Sequence, residues 1–307
     1  MTSMGTLNAI IASNIVLSMT SLFAAAKSES TVTVFVDANG QKAYIPAGFT
    51  VSEKDDERLI GGGLVVIGPD GSEFVWIPTD RTALMQRDFH CDMYGNPISA
   101  YKDETSLPEY RNMERSVAKY GGFYMGRFEA SYGGGNGPED YCPASKRVTP
   151  EQPGRIWVRF SPQDATRACQ NLYRDNPTVQ GFFPWGVNWD TMLQWLIDSG
   201  AKTRREVATD SSSWGNYSNS RFVRNSSIRY TGVYEQAKAN NIYDIAGNNW
   251  EWTQERYRSY SYVMRGGGNS IMGYGCEGDM APAAIRDPLP GSSHHPNVAF
   301  RVALYLK

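Results

Sequence analysis

The residues able to do covalent or metal chemistry are few in this sequence and poorly spaced for it. Its four cysteines, Cys91, Cys142, Cys169 and Cys276, include no CxxC pair and keep no regular interval, which argues against a zinc knuckle. Four cysteines in 307 residues do not make a disulfide-dependent scaffold, so buried, inert thiols are expected. His294 and His295 are adjacent, and neighbours on a strand point to opposite faces, which makes joint metal ligation awkward. His90, Cys91 and Asp92 run together without ligand spacing, and the sequence contains no GxSxG, P-loop or HExxH motif. Asn248 and Glu251 offer oxygen atoms of the kind a hard cation such as calcium takes. The same Glu251, set between Trp250 and Trp252, could instead pair with an arginine, and Gly247-Asn248 could be a turn that tolerates positive φ.

Composition narrows the function classes. The chain is 41% apolar and 20% charged, which is ordinary globular material and excludes disordered and collagen-like classes. A formal net charge of −2 leaves no electrostatic footprint for nucleic acid or an anionic membrane. Eight Trp, eighteen Tyr and thirty Gly suit a loop-rich fold in which rings pin irregular segments.

Several elements that would position these residues can be read directly. Residues 32–36 and 42–45 flank Asp37-Ala38-Asn39-Gly40, a hairpin with a strong turn signal. Leu64–Ile67 and Glu73–Ile77 bracket a second turn at Gly68-Pro69-Asp70-Gly71. One helix opens at Ser161-Pro162-Gln163-Asp164, a capping pattern, and places Cys169 on its apolar face. Another begins near Asn188, carries Trp189, Met192, Leu193, Leu196 and Ile197 on one face, and ends at Gly200. Long glycine, serine and asparagine loops follow, such as 211–222, where Trp214, Tyr217 and Phe222 can act as anchors. Helices joined to sparse strands by such loops predict an α+β fold. No repeat of solenoid period is present.

The first 26 residues carry no charge. Ala24-Ala25-Ala26 could pass for a signal-peptidase site, yet no basic n-region precedes it. Asn8, Ser13, Asn14, Ser18, Thr20 and Ser21 interrupt any membrane span. Leu7, Ile10, Ile11, Asn14, Leu17, Ser18 and Ser21 fall near heptad spacing, which predicts a helix over 1–30 that associates with copies of itself or docks on a larger assembly. The phrase TLNAIIASN also resembles repeated segments near the start of phage tail proteins.

Three phrases in order resemble one family. Phe74-Val75-Trp76-Ile77-Pro78 with 122–129 (GFYMGRFE) is similar to the opening strands of formylglycine-generating-enzyme (sulfatase-modifying factor) domains. Residues 241–253 (NIYDIAGNNWEWT) resemble their GLYDMAGNVWEWT signature, and 264–268 (MRGGG) with 298–302 (VAFRV) resemble their closing strands. The likeness spans 74–304, about three quarters of the chain, and implies a C-type-lectin-like fold. On this basis residues 1–30 form an oligomerisation or docking helix, 31–72 a small β region, and 73–307 the C-type-lectin-like domain.

The family's enzymes oxidise a substrate cysteine with two cysteines that hold copper, and one thiolate cannot replace that soft pair. Counting from Gly266-Gly267-Gly268, the family's second cysteine falls on Cys276 and its first on Ile271, which cannot ligate a metal. A non-catalytic binder needing no cofactor is therefore expected, with calcium at Asn248 and Glu251 as the one metal option. Between the strand at 262–265 and a final strand over 298–306 lies an insert rich in Tyr, Met, amide and acidic residues. Amphipathic rings and adaptable polar groups on a rigid support make a recognition surface. The layout, and the ending NVAFRVALYLK, resemble the variable proteins of diversity-generating retroelements, whose hypervariable stretch would here be 257–307. The predicted contacts are Tyr257, Ser259, Tyr260, Asn269, Met272, Tyr274, Cys276, Glu277, Asp279, Met280, His294 and His295.

The resemblance implies a phage or prophage tail receptor-binding protein on the virion. It would be a homotrimer that meets a host-surface protein or glycan and joins other tail or surface-assembly proteins through residues 1–30, with no nucleic-acid partner. The alternatives are a bacterial cell-surface adhesin of the same fold and a formylglycine-generating or related sulfur-oxidising enzyme.

Overall fold

The computed structural model describes residues 31–89, 92, 95–136, 139–148, 155–223, 230–269 and 281–307. The helix expected over 1–30 lies outside them. Among the described residues no helix is long and apolar enough to cross a membrane.

The chain opens with the expected hairpin, β1 (Thr33–Val36) and β2 (Lys42–Ile45). Asp37 makes its turn, accepting from the amides of Asn39 at 2.9 Å and Gln41 at 2.8 Å, while Gly40 takes φ 76°. Three strands follow, β3 (Thr50–Val51), β4 (Val65–Ile67) and β5 (Glu73–Pro78). A short strand β6 (Tyr101–Lys102) precedes helix α1 (Pro108–Tyr120), which the sequence reading did not find. Pro108 sits in the first turn of α1 and Gly121, at φ 74°, ends it. Its buried residues are only Tyr110, Met113, Ser116 and Val117, a narrow stripe on an otherwise charged helix.

Next come β7 (Gly122–Gly126), β8 (Ser131–Gly134) and β9 (Cys142–Ala144). Helix α2 (Pro162–Asn171) starts as expected, with the Asp164 amide donating to Ser161 Oγ at 3.2 Å, and Cys169 is fully buried on its inner face. After β10 (Val179–Phe182), helix α3 (Gly186–Asp198) buries Trp189, Met192, Leu193 and Leu196. Helix α4 (Arg204–Ala208) and the strand pair β11 (Lys238–Ala239) and β12 (Ile242–Tyr243) lead to β13 (Trp250–Tyr257) and β14 (Ser261–Arg265). The chain closes with β15 (Asp287–Pro290), β16 (Val298–Phe300) and β17 (Ala303–Leu306).

Two sheets organise these elements. One has the order β10-β17-β7-β5-β4-β3; the other runs β15-β14-β13-β16, with β6 also paired to β13. Residues of β5 are buried on both faces. Val75 and Ile77 pack with α1 and α3, whereas Phe74 and Trp76 pack with Ala165, Ala168, Trp252 and Phe300. The result is a mixed helix and sheet protein dominated by sheet.

The structure corrects two boundaries. The single final strand expected over 298–306 is two strands in different sheets: β16 runs parallel to β13, and β17 lies between β10 and β7. The break falls at Arg301 and Val302, both fully buried, with the Arg301 side chain turned to Glu251 on β13. The boundary expected at 72/73 falls in the β4–β5 turn, and β3 and β4 belong to the six-stranded sheet. Residues 50–72 are therefore part of the main body. A buried ionic contact fixes them there: Arg127 meets Glu57 at 2.7 Å and Glu73 at 2.7 Å.

Burial alone would raise the Glu57 carboxyl. Hydrogen bonds from Arg127, Ser52 and Lys54, with the Arg127 charge, outweigh it and bring the group down to about 2. A carboxylate lowered in the folded state stabilises above its unfolded value and loses that contribution as acid protonates it. Thermal melts are expected to fall between pH 5 and pH 2, and Glu57→Gln is expected to flatten that part of the profile. A second expectation concerns Glu251, whose Oε1 lies 2.6 Å from Arg301 Nη2 with both side chains buried. Glu251→Ala leaves a buried guanidinium without its counter-ion, and equilibrium unfolding is expected to show a loss of about 3–5 kcal/mol.

Candidate ligand-binding face

The insert expected to carry recognition is preceded by a triplet of glycines that the backbone requires. Gly266 and Gly267 take φ 84° and 75°. A Cβ on Gly266 would sit 2.9 Å from the Ile245 carbonyl oxygen, and one on Gly267 would sit 2.6 Å from that of Ala281. Asn269 follows and is locked in place. Its Nδ2 donates to the carbonyl and to Oδ1 of Asn216, both at 3.0 Å; its amide donates to Asn248 O at 2.7 Å, and its carbonyl accepts from Ser218 N at 2.8 Å. Residues 270–280 lie outside the described residues, so Met272, Tyr274, Cys276, Glu277, Asp279 and Met280 have no placement here, nor has Ile271.

The far end is held equally firmly. Ala281, Ala283, Ala284 and Ile285 are all fully buried. The Ala283 amide donates to Ser211 Oγ at 3.0 Å, its carbonyl accepts from Trp189 Nε1 at 3.1 Å, and the Ala284 amide donates to Val207 O at 3.1 Å. The near approach of Gly267 to Ala281 brings the chain on either side of residues 270–280 together. This segment starts and finishes on core positions.

Behind it lies a buried ionic group that the sequence reading missed. Arg265 reaches Asp190 at 2.5 Å and Glu255 at 3.1 Å, and Arg286 reaches Glu255 at 3.0 Å and also pairs with Asp190. All four side chains are almost fully buried, and the two positive charges balance the two negative. Arg265 also donates to the Ile285 carbonyl at 2.9 Å, which ties β14 to the stretch before β15. Burial would raise Asp190, but the two guanidiniums outweigh it and hold the carboxyl below its ordinary value. The only cue in the sequence was an arginine at the end of the apolar run Ala281–Ile285.

The predicted contacts that fall among the described residues do not share one surface. Tyr257 is half-buried, and Ser259 and Tyr260 are exposed at the β13–β14 turn, Tyr260 by 64%. The exposed His294 and His295 share this end, because the Gly291 amide donates to Tyr260 O at 3.2 Å and Ser261 pairs with Pro290. Asn269 follows the opposite end of β14, a strand of five residues, roughly 13 Å away along the strand. Asn269, at 2% exposure, is held in the core by its hydrogen bonds and serves as an anchor. Ala281–Arg286 are likewise core, so the expected surface over 257–295 is interrupted by buried chain. Beside Tyr257 a cavity of about 390 Å³ is lined by Asn96, Tyr101 and Arg286, among others. Tyr257 packs its ring 5.3 Å from that of Tyr101.

Of the two metal-candidate residues, Glu251 has both oxygens engaged by protein, while Asn248 Oδ1 is buried with no hydrogen-bond partner among the described residues. Glu251 accepts from Arg301 through both oxygens, at 2.6 and 3.1 Å, and Asn248 Nδ2 donates to Glu129 and to Tyr230 O. Among the described residues no three His, Cys, Asp or Glu side chains converge as a metal set. Cys142 and Cys169 are free, and burial raises both thiols, the opposite of an activated thiolate.

Residues 184–306 match the sulfatase-modifying factor enzyme 1-like domain. The matched stretch contains α3, the Asn248–Glu251 turn, the glycine triplet and both closing strands, but not the opening strands at 74–128 that also carry the resemblance. The fold is also similar to Treponema denticola variable protein 1, with a TM-score of 0.39 and 15% identity, over 59% of this chain and 84% of that one. A search of curated proteins finds no match.

Two substitutions separate anchor from surface. Asn269→Ala removes the partner of buried Asn216 groups and is expected to cost about 1–3 kcal/mol in urea unfolding. Tyr260→Ala is expected to stay within about 0.5 kcal/mol of the parent.

Proposed function

We propose that this chain is a receptor-binding protein whose domain, of C-type-lectin-like fold, presents residues 270–280 to a host-surface protein or glycan. The observation that carries this reading is the frame on either side of residues 270–280: Asn269 and Ala281 are both core positions, and hydrogen bonds fix Asn269 on one side and Ala283 on the other. Such a frame lets side chains between those points vary without disturbing the fold, as a diversified binding segment requires. Tyr274 and Met272 supply the amphipathic and adaptable contacts, and Tyr257, exposed Tyr260, His294 and His295 form a separate rim at the other end of β14. We place the protein on a phage or prophage tail, with residues 1–30 joining three copies and the tail assembly. Avidity from several weak sites then substitutes for tight binding at one.

The sulfatase-modifying factor likeness of residues 184–306 favours a second reading, cysteine oxidation. The donor set does not fit its copper. Ile271 has no ligating atom, leaving Cys276 without a partner thiol at the family's positions, so no step is derived through the metal. Turnover of a cysteine peptide with Cu(I) and oxygen would establish the enzymatic reading over the binding one.

For the binding reading, the double substitution Tyr274→Ala with Met272→Ala is expected to abolish attachment to host cells while leaving the melting temperature nearly unchanged. A large fall in melting temperature would place these side chains in the core instead.

A further inference from the structure

The hairpin β1–β2 forms a two-stranded sheet of its own, and one of its edges is open. The Asp37 amide donates to the Gln41 carbonyl at 3.0 Å. Counting back from that pair, Thr33 and Phe35 bond to β2, whereas the amides and carbonyls of Val34 and Val36 point away from it. Among the described residues nothing hydrogen-bonds to those outward groups. The two valine side chains are 56% and 53% exposed, on the face they share with Tyr44 and Lys42. The other edge of the hairpin is taken, because the Tyr44 carbonyl accepts from the Tyr124 hydroxyl at 2.7 Å.

Sheets ordinarily shield such an edge with proline, charge, brevity or a covering element. Both large sheets of this chain do so. Strand β3 is two residues long, β10 and β16 are largely buried, and β15 carries Pro288 and Pro290. Residues 31–36, TVTVFV, have no proline, glycine or charge. The 30 residues before them lie outside the described ones and end beside this strand, and the first 26 bring no charge that would repel a second copy.

We propose that β1 docks against β1 of a second copy of this chain, antiparallel about a two-fold axis at Phe35. That register sets each Val34 opposite the other copy's Val36 and satisfies the outward groups of both with about four main-chain hydrogen bonds. Tyr44, Val34, the other copy's Val36 and its Lys42 then form one row across a four-stranded sheet, and Phe35 meets its own counterpart. A strand of another protein could make the same backbone bonds. Selection between strands comes from charges and side-chain pockets, however, and this edge offers only valines that match themselves. Because Tyr124 closes the β2 edge, the contact is isologous and stops at two copies. It goes beyond the receptor reading, since it needs no contact from residues 1–30 or 270–280.

The test uses the full chain, with sedimentation equilibrium and hydrogen exchange at the Val34 and Val36 amides measured on the same samples. Exchange at both amides is expected to slow by about tenfold or more from the most dilute sample to the most concentrated, as the mass doubles. The double variant V34K/V36K sets lysine against lysine across the pair and is expected to halve the assembly mass at an unchanged melting temperature. Should it fold poorly, the exchange of the parent chain decides, since it needs no substitution. If residues 1–30 also join copies, their contribution is the mass that remains after halving, so the two contacts are read separately. The proposal is overturned if the chain stays monomeric, if both amides exchange freely in the assembled chain, or if V34K/V36K folds and leaves the mass unchanged. Protection that appears only when another protein is added overturns it as well.

Discussion

Arg301 joins the two sheets, and the rest of the fold is arranged around it. It stands between β16 and β17, where the chain leaves one sheet for the other. Its guanidinium meets both oxygens of Glu251 on β13 and donates to the carbonyls of Gly126 at 3.0 Å and Tyr243 at 2.9 Å. One side chain thereby touches the end of β7, the end of β12 and the start of β13. A buried guanidinium is costly unless its donors find partners, so the fold tolerates little displacement of these strands relative to one another.

That constraint has a consequence for the candidate face. The segment 270–280 is inserted between β14 and β15, and both flanks are bound to the same core by a second set of buried charges, Arg265, Asp190, Glu255 and Arg286. Buried ion pairs are weak contributors to net stability compared with apolar packing. Their value here is geometric. Each arginine can satisfy its donors only when β14, α3 and the stretch before β15 are all in place, which fixes the chain on both sides of residues 270–280. A support of this kind leaves the side chains it carries free to change.

Much of the fold was legible in the sequence where local chemistry decided it. The Asn39-Gly40 turn, the Ser161 cap and the apolar face of α3 each depend on residues adjacent in the chain. Helix α1 escaped because its inward stripe is narrow and polar residues fill the remaining turns. The end of the chain escaped for a different reason. Nothing in the run 298–306 signals a change of sheet, since the break depends on Glu251, fifty residues away, drawing Arg301 inward. The contact face was the least legible part. Residues 257–297 are continuous in sequence, but β14 carries Tyr260 and Asn269 to opposite ends, and the apparently irregular run at 281–286 is core. Sequence proximity therefore overstated how much surface these residues share.

The central claim is that residues 270–280 recognise a ligand and contribute little to folding. Replacing the whole segment by a glycine and serine stretch of equal length tests it most directly, with host-cell attachment and thermal unfolding measured on the same preparation. The account predicts that attachment is lost while the cooperative transition survives close to its original temperature. Attachment that persists, or a domain that no longer unfolds cooperatively, would contradict it.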